Sequence, residues 1–331
     1  MKSGSPTKYL RRREGIALIT TLLVVALIVA VVVQFNRTAI VDVEITKNFS
    51  DEKKTLYLTI STVNVIKDFL RLEGLYGKGD SYHDEWAKSE SYFASTSTFL
   101  EEGRVDGFIL DESGKININR LVEENGQFDE VQKAFWERLL KQGVFGLTDD
   151  QVNTIVHGVK DWLDGDEEVT GVYGAESIAY RSKGYQCKNG PMLGVEELLL
   201  VNGVTPEIFY GEGRREGISN YFTVFGGGEI NINTAPVPVL MALSHEMTED
   251  IAENMNKFRM DEANRWALAT KIWYRRVWPY ANPLPEKALT ATSSAFSVHV
   301  KATLHDSMKE VKAVIAKASD SATSIIHWQE M

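Results

Sequence analysis

The sequence is poor in features that mark several common protein classes. Its 331 residues include one cysteine, Cys187, which excludes an internal disulfide framework and a zinc site with four cysteine ligands. Acidic residues outnumber basic ones by 46 to 36, and this balance opposes a broad nucleic-acid surface, because phosphate binding needs clustered lysine and arginine. The sequence also lacks the G-x-S-x-G, Walker, H-E-x-x-H and protein-kinase motifs. We therefore expect a protein that is not an enzyme.

One apolar block near the N-terminus carries most of the strong hydrophobicity. Residues 16–33 form an uninterrupted run without a charge. As a helix this run would span about 27 Å, close to the hydrocarbon thickness of a bilayer. Three basic residues, Arg11, Arg12 and Arg13, lie shortly before the block, whereas Arg37 is the only basic residue among the nine that follow it. The positive-inside rule predicts a single-pass protein with a cytoplasmic N-terminus and the rest of the chain across the membrane.

The block allows three interpretations. A removed secretory signal needs small residues after the block, and residues 34–39 are poor candidates. An uncleaved signal anchor is the second interpretation. The third is that a basic leader ending in Glu14-Gly15, directly before Ile16, resembles the type IV pilin-type (class III) signal. In that family a prepilin peptidase cuts after the glycine and the new amine is methylated, which implies cleavage between Gly15 and Ile16 and N-methylation of Ile16.

Thr20 departs from the common pilin pattern. Pilins usually carry glutamate at the fifth mature position, which is Thr20 if Ile16 is the first. In a filament that glutamate neutralises the N-terminal amine of a neighbour inside an apolar bundle, where an unpaired charge is costly. A subunit with threonine has no carboxylate to offer, which is tolerable when no subunit lies above it. In an unprocessed anchor, Thr20 is simply an intramembrane helix residue.

The pattern predicts a helix that continues beyond the block. No proline or glycine interrupts residues 16–73, and an amphipathic stripe continues from Phe35 to Leu70 with some drift. A single helix of this extent would be about 87 Å long. The alternative is a break near Ser50, with Ser50-Asp51 capping a new helix.

Two segments, 107–119 and 221–233, resemble each other. Each has an apolar strand, a glycine turn and an alternating Ile-Asn-Ile-Asn run, so each predicts a hairpin. We expect the asparagine amides to hold neighbouring loop backbone rather than a ligand. Two hairpins this far apart indicate that a domain has been inserted between sheet elements.

The interval 121–220 is predicted to be mostly helical, with helices at 128–141 and from Thr148 to Trp162. Its helix–turn–helix around Gly203 resembles a helix-hairpin-helix or SAM-like module, and such modules often bind the DNA backbone. The interval carries 18 acidic and 9 basic residues, a net of −9, which opposes DNA binding. A protein-interaction or spacer domain is the better interpretation.

The C-terminal third is predicted to contain helices followed by strands. Helices are expected at 239–259 and 262–276, packed either on the insert or on the sheet. Residues 295–304 and 309–317 alternate in polarity, which predicts two strands paired as a hairpin. Residues 318–331 are expected to fray or to add an edge strand.

These patterns predict an α+β fold. A pilin-like long N-terminal helix packs on an antiparallel β-sheet, and a large all-α domain is inserted. The predicted division is a leader at 1–15, an N-terminal helix at 16–75 with its transmembrane part at 16–33, a first part of the α/β domain at 76–120, the insert at 121–220, and the rest of the α/β domain at 221–331 with a helical segment at 236–278.

The strongest polar cluster lies at residues 161–168, which contain five carboxylates. Like charges this close repel, so a cation or solvent must relieve them. Oxygen ligands at short loop spacing favour calcium over zinc, although the EF-hand pattern is absent. A solvated acidic loop without metal is the alternative. The candidate ligands are Asp164, Asp166 and Glu176 first, with Asp161 and Glu168 next.

Motifs spread along the whole chain make it similar to the K-type minor pseudopilins of type II secretion systems. Where that family usually has an acidic residue after Gly-Ala-Glu, this chain has Ser177, which weakens one possible metal ligand. The motifs are, in order, Glu14-Gly15-Ile16-Ala17-Leu18-Ile19 without the fifth-position glutamate, Asp161-Trp162-Leu163-Asp164, Gly174-Ala175-Glu176, Glu196-Glu197-Leu198, Gly203-Val204-Thr205 and Ile230-Asn231-Ile232-Asn233-Thr234-Ala235-Pro236.

The resemblance implies a non-catalytic subunit of the inner membrane with most of its chain in the periplasm. It would join the I and J minor pseudopilins in a tip complex that initiates and caps the pseudopilus, after processing by prepilin peptidase. The major pseudopilin and the inner-membrane assembly platform are further implied partners, and nucleic acid is not one. Calcium sites occur in the family's inserted domain, which favours calcium here. The alternatives are a helix-hairpin-helix protein of DNA uptake and a related type IV pilus minor pilin.

Overall fold

A single helix organises the N-terminal part of the chain. The computed structural model describes residues 7–96, 102–279, 284–318, 320 and 322–331. In it α1 runs without interruption over Thr7–Tyr76, which confirms the predicted helix through 16–73. The alternative break near Ser50 is wrong. Asp51 does not cap a new helix, and its Oδ2 instead lies 3.0 Å from Nδ1 of His305.

Shorter elements follow α1. The predicted helices at 239–259 and 262–276 are each two separate elements, and those of the second are 3-10 helices. The α-helices are α2 (Ser89–Thr96), α3 (Glu130–Leu140), α4 (Asp149–Leu163), α5 (Ser177–Tyr180), α6 (Pro206–Tyr210), α7 (Val237–Ala242) and α8 (Glu249–Met260). The 3-10 helices are Glu85–Lys88, Ile118–Arg120, Arg181–Lys183, Val195–Leu200, Ile218–Tyr221, Glu262–Ala269, Trp273–Arg276 and Glu286–Ala288. The strands are β1 (Arg104–Asp111), β2 (Ile116–Asn117), β3 (Gly211–Glu212), β4 (Arg215–Glu216), β5 (Phe222–Thr223), β6 (Ile230–Asn231), β7 (Leu289–Thr290), β8 (Ala295–Leu304), β9 (Ser307–Lys317) and β10 (Thr323–Glu330).

The main sheet is antiparallel with strand order β1-β8-β9-β10. The alternation at 295–304 and 309–317 correctly predicts β8 and β9, and the edge strand expected within 318–331 is β10. One face of the sheet receives α1, whose Val63, Ile66 and Leu70 are buried against it. Burying each such side chain contributes about 1.5–3 kcal/mol, so this contact fixes α1 on the sheet. The α+β architecture is confirmed.

The two Ile-Asn segments do not form the predicted hairpins. Instead of folding back on β1, β2 pairs in parallel with β5, and β6 pairs in parallel with β7. The Ile-Asn segments do not fold back on the main sheet because their isoleucines, Ile116 and Ile230, are fully buried in a helical core. The place beside β1 is taken by β8.

The asparagines of these segments hold loop backbone, as predicted. The Asn117 amide donates to the carbonyl oxygens of Phe225 and Gly226 at 2.9 and 3.0 Å. The Asn233 amide donates to the Leu268 carbonyl oxygen at 2.9 Å. Both side chains are buried, so each replaces backbone hydrogen bonds that solvent cannot supply.

The helical core extends further along the chain than the predicted insert. Within the described ranges it runs from Ile116 to Leu289, so residues 221–289 belong to it rather than to the α/β domain. The segment 236–278 packs on the insert: the buried Val239 and Leu240 of α7 join the same core as α3. The single helix predicted at 239–259 is two, because Thr248 caps α8 by accepting from the Ile251 N–H at 3.3 Å.

The helical domain lies at the end of the sheet farthest from the apolar block. The chain enters it after Asp111 and returns just before Phe296, and these two residues are paired in the β1–β8 ladder. The opposite end of the sheet is the β8–β9 turn at His305, which contacts Asp51 of α1. Along α1, Asp51 precedes Leu70 by about 29 Å.

Candidate functional site

The apolar block forms an exposed helical rod. Residues 16–33 lie on α1 before its contact with the sheet, and none of the most apolar 18-residue window is buried. The described helix is long and apolar enough to cross a membrane, which is consistent with a single-pass anchor.

The predicted processing residues lie on this rod. Gly15 is exposed, and a Cβ added to it would meet no atom within 4 Å. Ile16 is 63% exposed. The Thr20 hydroxyl shares its hydrogen between the carbonyl oxygens of Ile16 and Ala17 at 3.0 and 2.9 Å, so its one donor is satisfied within the helix. The rod therefore carries no carboxylate at position 20.

A second group of residues lies where α4 ends. Thr148 and Gln151 form a capping box at the start of α4, and a strongly amphipathic pattern buries its inner face. Asp161 lies in the last turn of this face and is fully buried. Asp164 ends the helix as its C-cap and is 3% exposed. Glu176, 2% exposed, is the N-cap residue of α5, so two helix ends bring the three carboxylates together.

The three carboxylates have the geometry of a cation site. One oxygen from each of Asp161, Asp164 and Glu176 can be chosen so that all lie within 4.8 Å of one another. Asp161 accepts from the Thr170 N–H at 3.1 and 3.2 Å, which fixes its orientation. A Cβ at Gly174 would overlap Asp161 Oδ2, so glycine keeps the space beside this carboxylate open.

Several oxygens of this site are buried without a hydrogen bond. Within the described part of the chain these are Asp164 Oδ1 and both carboxylate oxygens of Glu176. The Cys187 thiol lies beside Glu176 but donates to the Asp161 carbonyl oxygen at 3.1 Å. Burial, followed by repulsion from Asp161 and Asp164, raises the pKa of Glu176 to about 7. Burial also raises the pKa of Asp164, against the ion pair with Lys160. Buried oxygens aimed at one another fit a hard divalent cation.

Two of the predicted ligands lie outside this site. Asp166 and Glu168 are exposed, and Asp166 Oδ1 accepts from the Glu168 N–H at 2.8 Å in a local turn. The Ser177 hydroxyl donates to Glu167 Oε1 at 2.8 Å. The prediction therefore named all three converging residues but added two from the neighbouring loop.

Two residues at the site, Cys187 and Lys160, are missed by the sequence-based prediction. Cys187 lies 26 residues after Asp161 and reaches the site through the loop before the 3-10 helix Val195–Leu200. Lys160 lies one turn before Asp164 on α4, and its ammonium contacts Asp164 Oδ2 at 2.5 Å. The i,i+4 spacing of Lys160 and Asp164 was the signal that could have found this pair.

Comparison with known proteins gives matches of three kinds. A family model described as type II secretion system (T2SS), protein K matches residues 114–210, which include the three carboxylates. The type II secretion system protein K of Aeromonas hydrophila is 22% identical over 338 residues, covering 94% of this chain and 95% of the relative. That of Pseudomonas aeruginosa is 27% identical over 253 residues, covering 74% and 72%.

A solved structure has a similar fold. A chain in the crystal structure of the GspK-GspI-GspJ complex from enterotoxigenic Escherichia coli matches with a TM-score of 0.67 and 15% identity. The match covers 86% of this chain and 99% of that one. The domain model, the two relatives and the fold agree, so residues 114–210 carry the protein K domain of the type II secretion system and the whole chain is similar to the protein K minor pseudopilins.

Proposed function

We propose that this chain is a minor pseudopilin that forms the tip of the pseudopilus and caps it. The observation that carries the proposal is the position of the helical domain. It lies beyond the end of the sheet opposite the β8–β9 turn, whereas the exposed apolar rod leaves past that turn. A subunit whose rod lies in the filament bundle would thus present the helical domain at the far end, where it blocks a further subunit.

Thr20 supports the same position. A filament subunit with a glutamate at this place pairs it with the N-terminal amine of the neighbour above. The Thr20 hydroxyl is already bonded to Ile16 and Ala17 of its own helix and offers no charge. A subunit with no neighbour above it needs none, because an unpaired carboxylate in an apolar bundle would be costly.

The proposal includes partners and a location. The solved relative was crystallised in a complex with GspI and GspJ, which supports I and J minor pseudopilins as the partners of this chain. The rod anchors the chain in the inner membrane, with the basic leader in the cytoplasm and both domains in the periplasm. Prepilin peptidase removes the leader between Gly15 and Ile16. The resulting tip complex initiates pseudopilus assembly on the inner-membrane platform.

A structural calcium ion completes the proposed site. Asp161, Asp164 and Glu176 would hold it, since their oxygens converge and three of them lack a hydrogen bond within the described ranges. Calcium would neutralise the repulsion between the carboxylates. It would also tie the end of α4 to the start of α5 and so order the acidic loop between them.

The test of the tip proposal is the place of the chain in the filament. An epitope is added after the exposed Met331 of the full chain, and pseudopili are labelled with gold-coupled antibody. Label at one end only is the expected result, and an epitope on the major pseudopilin, which labels the whole length, is the control. Label spread along the filament would contradict the tip position. Co-purification in detergent tests the partners: failure of this chain to join I and J would contradict that part alone.

A further inference from the structure

A positively charged side chain, that of Lys160, lies at the acidic site. Lys160 is one helical turn before Asp164, and its ammonium lies 2.5 Å from Asp164 Oδ2. The Lys160 side chain is 10% exposed and that of Asp164 is not exposed. The ammonium also lies 5.8 Å from the centre of the Phe128 ring, so an aromatic face closes its other side.

Lys160 changes the charge of the site. Three carboxylates bring three negative charges, and the lysine offsets one of them. Among the described residues, it is the only lysine or arginine in an ion pair with Asp161, Asp164 or Glu176. Its contact uses Asp164 Oδ2, which leaves Asp164 Oδ1 and both Glu176 oxygens for a metal.

We infer that Lys160 is a tethered counter-cation that lowers the affinity of this site for divalent and, more strongly, trivalent metal ions. The inference rests on the proposed calcium site. The ammonium neutralises the charge of Asp164 when no ion is bound, and it repels an ion that enters. A lysine beside a calcium site thus sets the calcium concentration at which the site fills.

The size and charge dependence of the effect follow from Coulomb's law. A unit positive charge about 6 Å from a divalent ion repels it. Even at the dielectric constant of water, this repulsion lowers the affinity for the ion by a factor of at least about ten. The repulsion is proportional to the charge of the ion, so a trivalent ion loses about thirtyfold under the same conditions. A lysine with a merely structural role would affect both ions equally.

The experiment uses the full chain in detergent and compares the wild type with Lys160→Met, Lys160→Arg and Lys133→Met. Lys133 is the matched control, because its ammonium lies 4.5 Å from the same Phe128 ring and it forms no ion pair with the three carboxylates in the described structure. Calcium binding is measured by titration calorimetry, and terbium binding by luminescence excited through Trp162, the sequence neighbour of Asp161. Melting temperature is measured in chelator and in saturating calcium.

Lys160→Met is expected to bind calcium about tenfold more tightly than the wild type and terbium about thirtyfold more tightly. Lys160→Arg and Lys133→Met should stay within about twofold of the wild type. In chelator Lys160→Met should melt lower than the wild type, and saturating calcium should remove that difference. If Lys160→Met cannot be isolated without calcium, Lys160→Gln is used for the titrations.

The outcomes separate the two proposals. If the wild type binds calcium but Lys160→Met binds it equally or more weakly, the lysine inference is wrong and the calcium site stands. An equal gain for calcium and terbium would also overturn it. If calcium binds only after the lysine is replaced, the lysine inference is supported and the proposal that the wild-type chain holds calcium is wrong. If no variant binds either ion, both proposals are wrong.

Discussion

The Asn231 amide of the helical domain donates to Asp111 Oδ2 at the end of the sheet, with a separation of 3.1 Å. The same amide also reaches the Asp80 carbonyl oxygen at 3.0 Å and the Ser293 hydroxyl at 2.8 Å. Asp80 in turn pairs with Lys317 of β9 at 2.5 Å. A buried side chain thus connects the sheet, the helical domain and the loop after α1.

Replacing Asn231 is expected to loosen this junction. Asn231→Ala leaves the buried Asn233 N–H without a partner and removes one of the two amide donors to the Asp80 carbonyl oxygen, the other being that of Asn233. We expect this to cost about 2–4 kcal/mol and to lower the melting temperature by several degrees. Burial raises the pKa of Asp111 to about 6, so ionising it destabilises the fold as pH rises from 3.8 through 6. Asn231→Ala removes a hydrogen-bond donor to the ionised Asp111 carboxylate, which enlarges that penalty. The variant should therefore lose more stability, relative to the wild type, at pH 8 than at pH 4. Asn125→Ala, at an exposed turn, is the control and should change stability by less than about 0.5 kcal/mol.

Glu73 gives a pH dependence with a defined sign. Burial, against a hydrogen bond from the Glu85 N–H, raises its pKa from 4.5 to about 7. An acid with a raised folded-state pKa is neutral in the fold at low pH, and its ionisation destabilises the fold as pH rises from 4.5 through 7. Glu73→Gln removes this ionisation and should raise the melting temperature by about 2 °C at pH 8 and leave it unchanged at pH 4. A gain of the same size at both pH values would show that ionisation is not its cause.

Calcium removal is expected to destabilise the full chain. Chelation should lower the melting temperature by several degrees, since it leaves three buried carboxylates facing one another. Glu176→Gln should abolish most of the calcium-dependent shift, whereas Glu168→Gln, an exposed residue of the same loop, should retain it. A melting temperature unaffected by calcium in the wild type would contradict the site.

The leader is expected to be removed between Gly15 and Ile16. Intact mass of the chain extracted from membranes should show an N-methylated Ile16. Gly15→Val should block processing without disturbing the helix, because a side chain at this position meets no atom within 4 Å. Recovery of the wild type with Met1 intact, in cells with active prepilin peptidase, would contradict the pilin-type signal.

Thr20 offers a test of the tip arrangement that leaves the folded domains untouched. Thr20→Glu places a carboxylate in the apolar bundle with no amine above it, at a cost of about 2.5–3.5 kcal/mol. It should lower the yield of the complex with I and J, as measured by co-purification. Thr20→Val removes only a hydroxyl that bonds within its own helix and should leave the yield unchanged. Better assembly with glutamate than with valine would contradict the proposal.

Local patterns were sufficient for the long elements of the fold. The absence of proline and glycine predicted the continuity of α1, and alternation predicted β8 and β9, because neighbouring residues decide both. The parallel pairs β2–β5 and β6–β7 were missed, since each joins segments far apart in sequence. Whether α7 packs on the insert or on the sheet also depends on contacts between segments far apart in sequence, which periodicity does not predict.

The candidate site was predicted by residue type but not by rank. The sequence pattern ranks Asp166 above Asp161, whereas in the structure Asp161 is buried in the site and Asp166 is exposed to solvent. Charge density could not separate the two, because it counts carboxylates without regard to whether they lie on the buried face of α4 or in the exposed loop after it. The spacing of Asp161 and Asp164 places them on one side of the helix end, and Glu176 joins them through the loop.

The contact between α1 and the sheet has a mechanical consequence. The contact is bonded near one end, where the Thr55 hydroxyl donates to that of Ser307 at 3.2 Å, and near the other, where the Thr323 hydroxyl donates to the Lys67 carbonyl oxygen at 3.1 Å. A pull along the apolar rod would load this interface in shear, with many contacts strained at once rather than one after another. An interface loaded in this way resists extraction better than one that is peeled. Force applied at the membrane therefore reaches the helical domain through the sheet without first detaching α1.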